Sequence, residues 1–287
     1  METMFMPRNP ILIFCFLLSA ALAISIPSAA PADEGKGLES HISIGMGWEQ
    51  LDYEEHEPEG CLNSNAKAGN ATVWIEGLKR WKSLFGGIKA VIPVLREDDT
   101  ETWVSSDGAA FQTNSLEYEW MRIDGYLGYP ATCFFNPYVG LRWSESKQDR
   151  ADFLVNNAAV AGTARETVRS WSLLLGFRGN GSFTPRWGWN YWMECFVPID
   201  VQVTNNTLPG FEASGKDGYT VELKCGTEYR LSEALSIGIL IYGGRMHWGG
   251  SGWKSCACGT AKWPENDTDY LGGALNIVWR FDKRGSK

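Results

Sequence analysis

The sequence has 287 residues, a formal net charge of −8 and 44% hydrophobic residues, with 14 Trp and 32 Gly. The acidic balance argues against a nucleic-acid partner. After residue 30, no apolar run approaches the roughly 18 residues that a spanning helix needs. The length allows one large domain or two small ones. The Trp count favours a surface that is apolar on one side and wet on the other.

The first 32 residues predict a cleaved signal peptide. Arg8 supplies a positive charge, the apolar segment 11–23 follows it, and small residues offer cleavage sites ending at Ala23 or Ala32. An uncleaved membrane anchor is the alternative, although the apolar segment is short for a span. We therefore expect export of the protein and a single domain over residues 33–287.

Apolar and polar residues alternate with a period of two through the rest of the chain, which predicts strands rather than helices. Several of these runs exceed ten residues, close to the ~9–11 that cross a bilayer at a tilt. In chain order, the predicted strands cover residues 40–54, 70–82, 87–96, 115–127, 136–146, 166–178, 188–203, 218–229, 235–248 and 269–281.

The connections between these strands alternate between short segments and long polar ones, such as 83–86 followed by 97–114. The alternation predicts a closed antiparallel up-and-down transmembrane β-barrel of about 10 strands, with short periplasmic turns and long extracellular loops. Counts of 8 or 12 strands remain open. The competing interpretation is a secreted soluble β-sandwich such as a lectin.

Each predicted strand has one apolar face, and its other face then lines the lumen. Opposite charges in so narrow a lumen are expected to pair, because an isolated ion there is costly. A plug of paired charges is the leading interpretation, and a polar conduit for small solutes is the alternative. The predicted lumen charges are Glu49, Glu76, Arg80, Lys89, Arg122, Asp124, Arg142, Glu194, Asp200, Glu222, Lys224, Glu228 and Arg280.

The segment 115–129 departs from this pattern. Tyr118 and Trp120 share the parity of Arg122 and Asp124. Either these aromatic side chains point into the lumen, or a β-bulge near Trp120 switches the faces.

Aromatic residues cluster near the predicted strand ends, as they do at bilayer interfaces. On the periplasmic side they are Trp81, Tyr129, Phe177, Trp187, Trp189, Tyr229, Trp279 and Phe281. On the outer side they are Trp48, Tyr53, Trp103, Trp143 and Trp248.

Three predicted outer segments are acidic, namely 52–60, 96–103 and 263–270. Solvated loops account for such runs, and divalent cations such as Ca²⁺ are the alternative partners because they favour carboxylates. No motif predicts a cofactor or a bound metal.

Six cysteines follow the predicted signal peptide, and an oxidising compartment permits disulfides. In a closed barrel the loop that holds Cys61 adjoins the loop that holds Cys256 and Cys258, so a disulfide between the two loops is a candidate. Cys195 and Cys225 are expected nearly opposite each other on neighbouring strands, either bonded or simply packed.

The terminal strand carries the most specific motif, with Leu275, Ile277, Trp279 and Phe281 at alternating positions. With these residues the chain resembles the broad class of Gram-negative outer-membrane β-barrels. The resemblance implies that the barrel-assembly machinery reads this strand as its signal. It also implies outer-membrane lipid and lipopolysaccharide as partners, and the bacterial outer membrane as the location.

The strand count also resembles that of the omptin proteases, which activate a water molecule with Asp pairs and an Asp–His pair at the extracellular rim. Asp98, Asp99 and His247 lie near the predicted rim, whereas the sequence motifs around the omptin residues are not recognisable. We expect a structural or surface-interaction barrel that is not an enzyme, with a narrow pore second and an omptin-like protease third.

Overall fold

Fourteen strands make up the secondary structure of the described residues, 38–57, 62–105, 108–215, 217–257 and 259–281 of a computed structural model. The predicted signal peptide lies outside these residues. Ten long strands are β1 (His41–Glu57), β2 (Leu62–Arg80), β3 (Phe85–Ser105), β4 (Ala110–Gly128), β5 (Asn136–Val155), β7 (Ala164–Ser182), β8 (Trp187–Asn205), β10 (Gly218–Arg230), β11 (Leu235–Trp248) and β14 (Glu265–Arg280). Four short strands lie in the long connections: β6 (Ala158–Val160), β9 (Glu212–Gly215), β12 (Lys254–Cys256) and β13 (Gly259–Ala261).

The ten long strands form one closed antiparallel barrel. Each pairs with the next long strand in the chain, and β14 pairs both with β11 and with β1. The predicted fold class, strand number and order are therefore confirmed. No helix in the described part of the chain is long and apolar enough to cross a membrane.

A band of exposed apolar side chains encircles the outside of the barrel. On β1, Ile44 and Met46 are 54% and 67% exposed, and on β14, Leu275 and Ile277 are 68% and 58% exposed. Such exposure is expected of a lipid-facing surface. The band, here called the apolar belt, covers the segments 42–48, 71–77, 86–95, 121–127, 137–143, 171–177, 187–199, 221–229, 235–243 and 271–279.

Several strands continue well beyond the apolar belt at the extracellular end. Thus β3 reaches Ser105 and β5 reaches Val155, where the sequence predicted ends at residues 96 and 146. Above the belt the outward residues are polar, so alternating hydrophobicity no longer marks the strand. Tyr53 and Trp248, predicted in the outer aromatic girdle, instead point inward and are buried.

Tyr118 and Trp120 point into the lumen and are buried. The alternation of faces on β4 is unbroken, and the irregularity lies on β3, where the register against β4 shifts between Val91 and Asp98. There the side chain of Asn70 on β2 donates a hydrogen bond to the Tyr118 carbonyl, 2.9 Å away. The bulge that the sequence allowed near Trp120 is thus displaced to the neighbouring strand.

Glycines leave room for large rings to lie across the inner wall. A Cβ on Gly272 would come within 2.4 Å of the Tyr242 ring, and one on Gly176 within 2.7 Å of the Tyr138 ring. These glycines therefore allow the lumen to pack, because a side chain at either position would clash with the neighbouring ring.

Candidate functional site in the barrel lumen

A network of buried ion pairs fills the lumen at the level of the apolar belt. Lys89 Nζ lies 2.6 Å from a Glu194 oxygen and 2.9 Å from Asp124, and Lys224 Nζ lies 2.6 Å from Glu222. Arg142 connects the Lys89 group with the Lys224 group, since its Nε lies 2.6 Å from Asp124 and an Nη lies 3.3 Å from Glu222. Lys224 and Glu222 share β10, but Lys224 also pairs with Glu194 on β8, and the other pairs likewise join different strands, which holds the walls together.

The charges of this network balance. Arg122 pairs with Glu49, and Arg178 lies 2.9 Å from Glu76. Each of these charged side chains is buried. We call the set the lumen network: five carboxylates, Glu49, Glu76, Asp124, Glu194 and Glu222, and five cations, Lys89, Arg122, Arg142, Arg178 and Lys224.

Aromatic rings cover the flat faces of the cations. The Arg142 guanidinium lies 3.4 Å from the Phe196 ring centre, and that of Arg122 lies 4.1 Å from Trp120. Stacking of this kind stabilises a desolvated cation. Tyrosines complete the coordination of the carboxylates, since Tyr138 donates to Glu194 at 2.6 Å. Rings and ion pairs together occupy the middle of the barrel.

Three predicted lumen charges lie at the periplasmic end rather than in the lumen network. Arg80 is exposed and donates to the Leu38 carbonyl at 3.1 Å. Glu228 and Arg280 are half-buried and pair with each other. They lie at the lower mouth of the barrel.

The prediction for Asp200 is wrong, because this side chain is exposed on the outer face. Opposite β7, Trp171 pairs with Asp200 and Ser172 with Pro198, so Ile199 is an extra residue in β8. A bulge of one residue reverses the alternation. Beyond it Val201 and Val203 turn inward in place of Asp200. Arg178, by contrast, belongs to the lumen network although the sequence analysis did not name it. The even-numbered residues of β7 face the lumen, and this parity was the available signal.

A second group of buried charges lies above the apolar belt, at the extracellular end of the lumen. Arg150 Nε is 2.7 Å from Glu101, and its Nη2 is 3.0 Å from Glu55. Glu166 is buried as well. We call Glu55, Glu101, Arg150 and Glu166 the upper cluster. It holds three carboxylates and one cation, so its charges do not balance.

This excess of carboxylates changes their affinity for protons. Burial raises the pKa of Glu55 to about 7, against the opposing effect of Arg150 and with further repulsion from Glu166. Burial likewise raises the pKa of Glu166. For Glu101 burial acts in the same direction, but the charge and hydrogen bond of Arg150 outweigh it and hold the pKa below its usual value. Arg150 thus neutralises one carboxylate well and leaves two whose pKa values are raised.

The two longest extracellular connections fold over the upper cluster and form a cap. Trp263 is 3% exposed, and its indole N–H donates to Glu166 at 2.9 Å. Phe211 from the other connection is also buried, and the backbone N–H of Ala257 donates to the Pro209 carbonyl at 3.0 Å. The extracellular end of the lumen is therefore covered.

A third group of charges lies on the outer face, above the apolar belt on β1, β11 and β14. His247 Nδ1 is 3.0 Å from one Asp267 oxygen, and Arg245 Nη2 is 2.9 Å from the other. His56 Nε2 is 3.7 Å from Asp267. Burial acts to raise the pKa of Asp267, but the hydrogen bonds from Arg245 and His247 outweigh it, and the pKa lies below its usual value.

The predicted partners of His247 are elsewhere. Asp98 and Asp99 are exposed on β3, and β14, β1 and β2 separate that strand from β11. The sequence analysis missed Asp267 as the partner. Its signal was the register, because β11 and β14 are neighbours and place His247 directly opposite Asp267.

Only some of the remaining predicted sites lie among the described residues. Cys61 and Cys258 lie outside the described residues, so the candidate loop disulfide to Cys61 stays a prediction. Cys195 pairs in register with Val221, and Cys225 with Tyr191, so these two cysteines are not opposite each other. Within the described ranges, no three His, Cys, Asp or Glu side chains are placed to hold a metal ion together. Binding of divalent cations at the acidic segments, which extend outside the described residues, is likewise still a prediction.

The chain is similar in structure to known outer-membrane barrels. It matches the Escherichia coli outer membrane protease OmpT with a TM-score of 0.62 at 8% identity, over 88% of this chain and 99% of that one. The transport unit of the Escherichia coli autotransporter AIDA-I matches at 0.37 and 10% identity, over 97% and 100%. A TodX deltaS2S3 mutant monoaromatic hydrocarbon channel matches at 0.34 and 12%, over 91% and 94%. No family model and no curated protein matches the sequence.

The chain thus has the fold of Gram-negative outer-membrane β-barrels, as its terminal strand suggested. The match to OmpT corrects the expectation that the protein is not an enzyme, because a protease uses this fold. At 8% identity the similarity concerns the fold alone, and the site residues have to be argued from this chain.

Proposed function

We propose that the protein is an outer-membrane barrel with a closed lumen that acts through the surface it exposes above the membrane, in a structural or interaction role. The observation that carries this proposal is the lumen network, which is charge-balanced, buried and covered by aromatic rings. The cap over the upper cluster adds a second barrier at the extracellular end.

Conductance across planar bilayers tests this proposal. We expect the folded protein, recognised by a heat-modifiable band on unboiled gels, to show no stepwise conductance. The double variant Glu222→Ala/Lys224→Ala removes one acid and one base and so keeps the lumen neutral. The variant makes room for water in the lumen, so we expect it to show small conductance steps. Such steps would prove that the barrel inserts into the bilayer in this assay. Conductance of the unaltered protein equal to that of the variant would contradict the proposal and favour a narrow pore.

Export and assembly form a separate part of the proposal. Residues 1–32 act as the cleaved signal, and Leu275, Ile277, Trp279 and Phe281 are read by the barrel-assembly machinery; those four side chains are exposed on one face. Lipopolysaccharide is the partner of the outward charges above the apolar belt. Among these are Arg165 and Arg169, which are more than half exposed. N-terminal sequencing of the mature protein from outer membranes checks the first of these statements.

A protease is the second candidate function, favoured by the shared fold with OmpT and by the His247–Asp267 pair. With its Nδ1–H donated to Asp267, the imidazole keeps Nε2 as an acceptor that can take a proton from water. The pair lies above the apolar belt, where an extracellular peptide reaches it.

Cleavage of fluorogenic peptides by the folded protein tests the second candidate. We expect His247→Ala and Asp267→Ala to abolish cleavage, whereas Asp269→Ala should leave it unchanged. Asp269 is the matched control, because it lies two residues further along β14, faces outward and contacts Arg245 only at 3.7 Å. Cleavage that survives His247→Ala, or no cleavage of any peptide by the unaltered protein, would exclude this candidate.

A further inference from the structure

A groove of about 630 Å³ crosses the outer wall of the barrel within the apolar belt. We call it the wall groove. It is lined almost entirely by carbon and runs across β1, β14, β11 and β10 to the start of β8. At the usual spacing between neighbouring strands, four steps give a length of about 19 Å. A groove of that length fits an extended hydrocarbon chain.

The shape of the groove follows from the alternation of side chains. Ile44, Ile277, Ile237 and Tyr229 form one outward row, and Met46, Leu275, Ile239 and Thr227 form the next. Between the rows lie Gly45, Asn276 and Gly238, whose parity turns them inward, so backbone forms the floor.

Polar groups lie beside the end of the groove at β10 and β8, on the periplasmic side of the barrel. Trp187 and Tyr229 border it, with ring centres 5.1 Å apart. The Tyr229 hydroxyl accepts a hydrogen bond at 3.1 Å from Arg186, which lies in the short turn before β8. Among the described residues, no carboxylate lies within ion-pair distance of Arg186. Within the described part of the chain, the exposed Arg186 guanidinium thus lies beside the groove without a counter-ion, in a turn at the periplasmic end of the barrel.

We propose that the wall groove binds one glycerophospholipid of the periplasmic leaflet, with an acyl chain in the groove and its phosphate on Arg186. A guanidinium donates two parallel hydrogen bonds to a phosphate, which matches its geometry better than an ammonium does. The aromatic rings of Trp187 and Tyr229 suit the boundary between chain and headgroup.

A second copy of the chain is the less suitable occupant. A two-fold contact would place the same patch of each copy against the other. Because Arg186 lies at one end of the groove, each Arg186 would then lie against the apolar opposite end of the partner's groove, where an unpaired charge is costly. A phosphate supplies the opposite charge, so charge complementarity selects the lipid.

Native mass spectrometry tests the proposal, with the folded protein released from detergent micelles after addition of phosphatidylglycerol. We expect one lipid to stay bound at collision energies that remove the others. Loss of the charge-assisted bond in Arg186→Gln should weaken retention about tenfold. Thr227→Trp fills the groove where it crosses β10 and should abolish retention. Both variants are checked for folding by heat-modifiable migration.

Two matched variants are expected to retain the lipid. Arg169→Gln removes an exposed guanidinium at the opposite end of the barrel, and Ala90→Trp adds a ring to the belt on β3, away from the groove. Equal loss in either control would show adsorption without a site and overturn the proposal. A dimer in light scattering that Thr227→Trp dissociates would overturn it in favour of a second copy.

Discussion

The middle of the lumen and its extracellular end hold the same kinds of side chain in different proportions. The lumen network has five carboxylates and five cations, whereas the upper cluster has three carboxylates and one cation. In the first region every carboxylate has a cation beside it, and most of these pairs join different strands. In the second, carboxylates outnumber the single cation, burial raises the pKa of Glu55 and Glu166, and an indole N–H from the cap reaches Glu166. The second region is therefore the one whose charge we expect to change with pH.

Removing a cation from the balanced region should give the largest effect. Arg142→Met leaves Asp124 and Glu222 without their shared guanidinium, and an uncompensated buried charge costs about 3–5 kcal/mol. We expect that loss in the free energy of unfolding, measured by urea titration of the lipid-reconstituted barrel. Arg169→Met is the control, because its exposed pair with Glu145 on the outer face is worth about 0–1 kcal/mol. Similar losses in both variants would mean that the lumen is hydrated.

The sequence predicts the contents of the balanced region better than those of the upper cluster. Within the apolar belt most strands alternate strictly, so the parity of Glu194 or Lys224 is enough to place it in the lumen. The error at Asp200 comes from the bulge at Ile199, whose signal was Pro198, because proline inside a sheet is typical of a bulge. Arg178 follows the parity rule at the last residue of the predicted strand.

Above the belt the same rule fails for a physical reason. Once a strand leaves the lipid, its outward residues are polar, and Glu101 or Arg150 then appears to belong to a loop. Both strands in fact continue, and they bring these residues together from positions 49 apart in sequence. The cap depends on contacts between two long connections, which no periodic pattern encodes.

Titration of the upper cluster should give the next largest effect. The pKa of Glu55 lies at about 7 in the folded protein against an ordinary value of 4.5, so folding favours its protonated form. The stability that this proton supplies is complete below pH 4.5 and is lost as the pH rises to about 7, a difference of about 3 kcal/mol. Glu55→Gln should therefore gain stability relative to the unaltered protein over this interval.

Unfolding at a series of pH values measures that difference, with Glu145→Gln as the control. The pKa of Glu145 lies below its usual value, because hydrogen bonds from Arg169 and Lys147 outweigh its slight burial. Its substitution should lose stability relative to the unaltered protein as the pH rises toward 4.5, which is the opposite sign, and the difference should stay constant above that pH. A constant difference between Glu55→Gln and the unaltered protein would show that the upper cluster does not hold its proton.

The cap should give a smaller effect than either group of charges. Trp263→Phe keeps most of the buried ring but removes the N–H that reaches Glu166, at a cost of about 1–2 kcal/mol. We expect faster proteolysis within segments 206–217 and 249–264, measured by mass spectrometry of the fragments. Trp253→Phe is the matched control from the same connection, since Trp253 is 62% exposed. Equal proteolysis of the two variants would show that closure of the cap does not depend on the hydrogen bond between Trp263 and Glu166.

The smallest effect is expected on the outer face, where Asp149 points outward next to the inward Arg150. Asp149 accepts from the guanidinium of Arg165 at 2.9 Å, but that side chain is more than half exposed. Arg165→Gln should cost less than about 1 kcal/mol, and the cost should vanish in 1 M salt, where the Debye length falls to about 3 Å. The loss caused by Arg142→Met should persist in the same salt, because buried pairs are screened much less than exposed ones. A salt-sensitive loss in Arg142→Met would place mobile ions in the lumen and favour the pore.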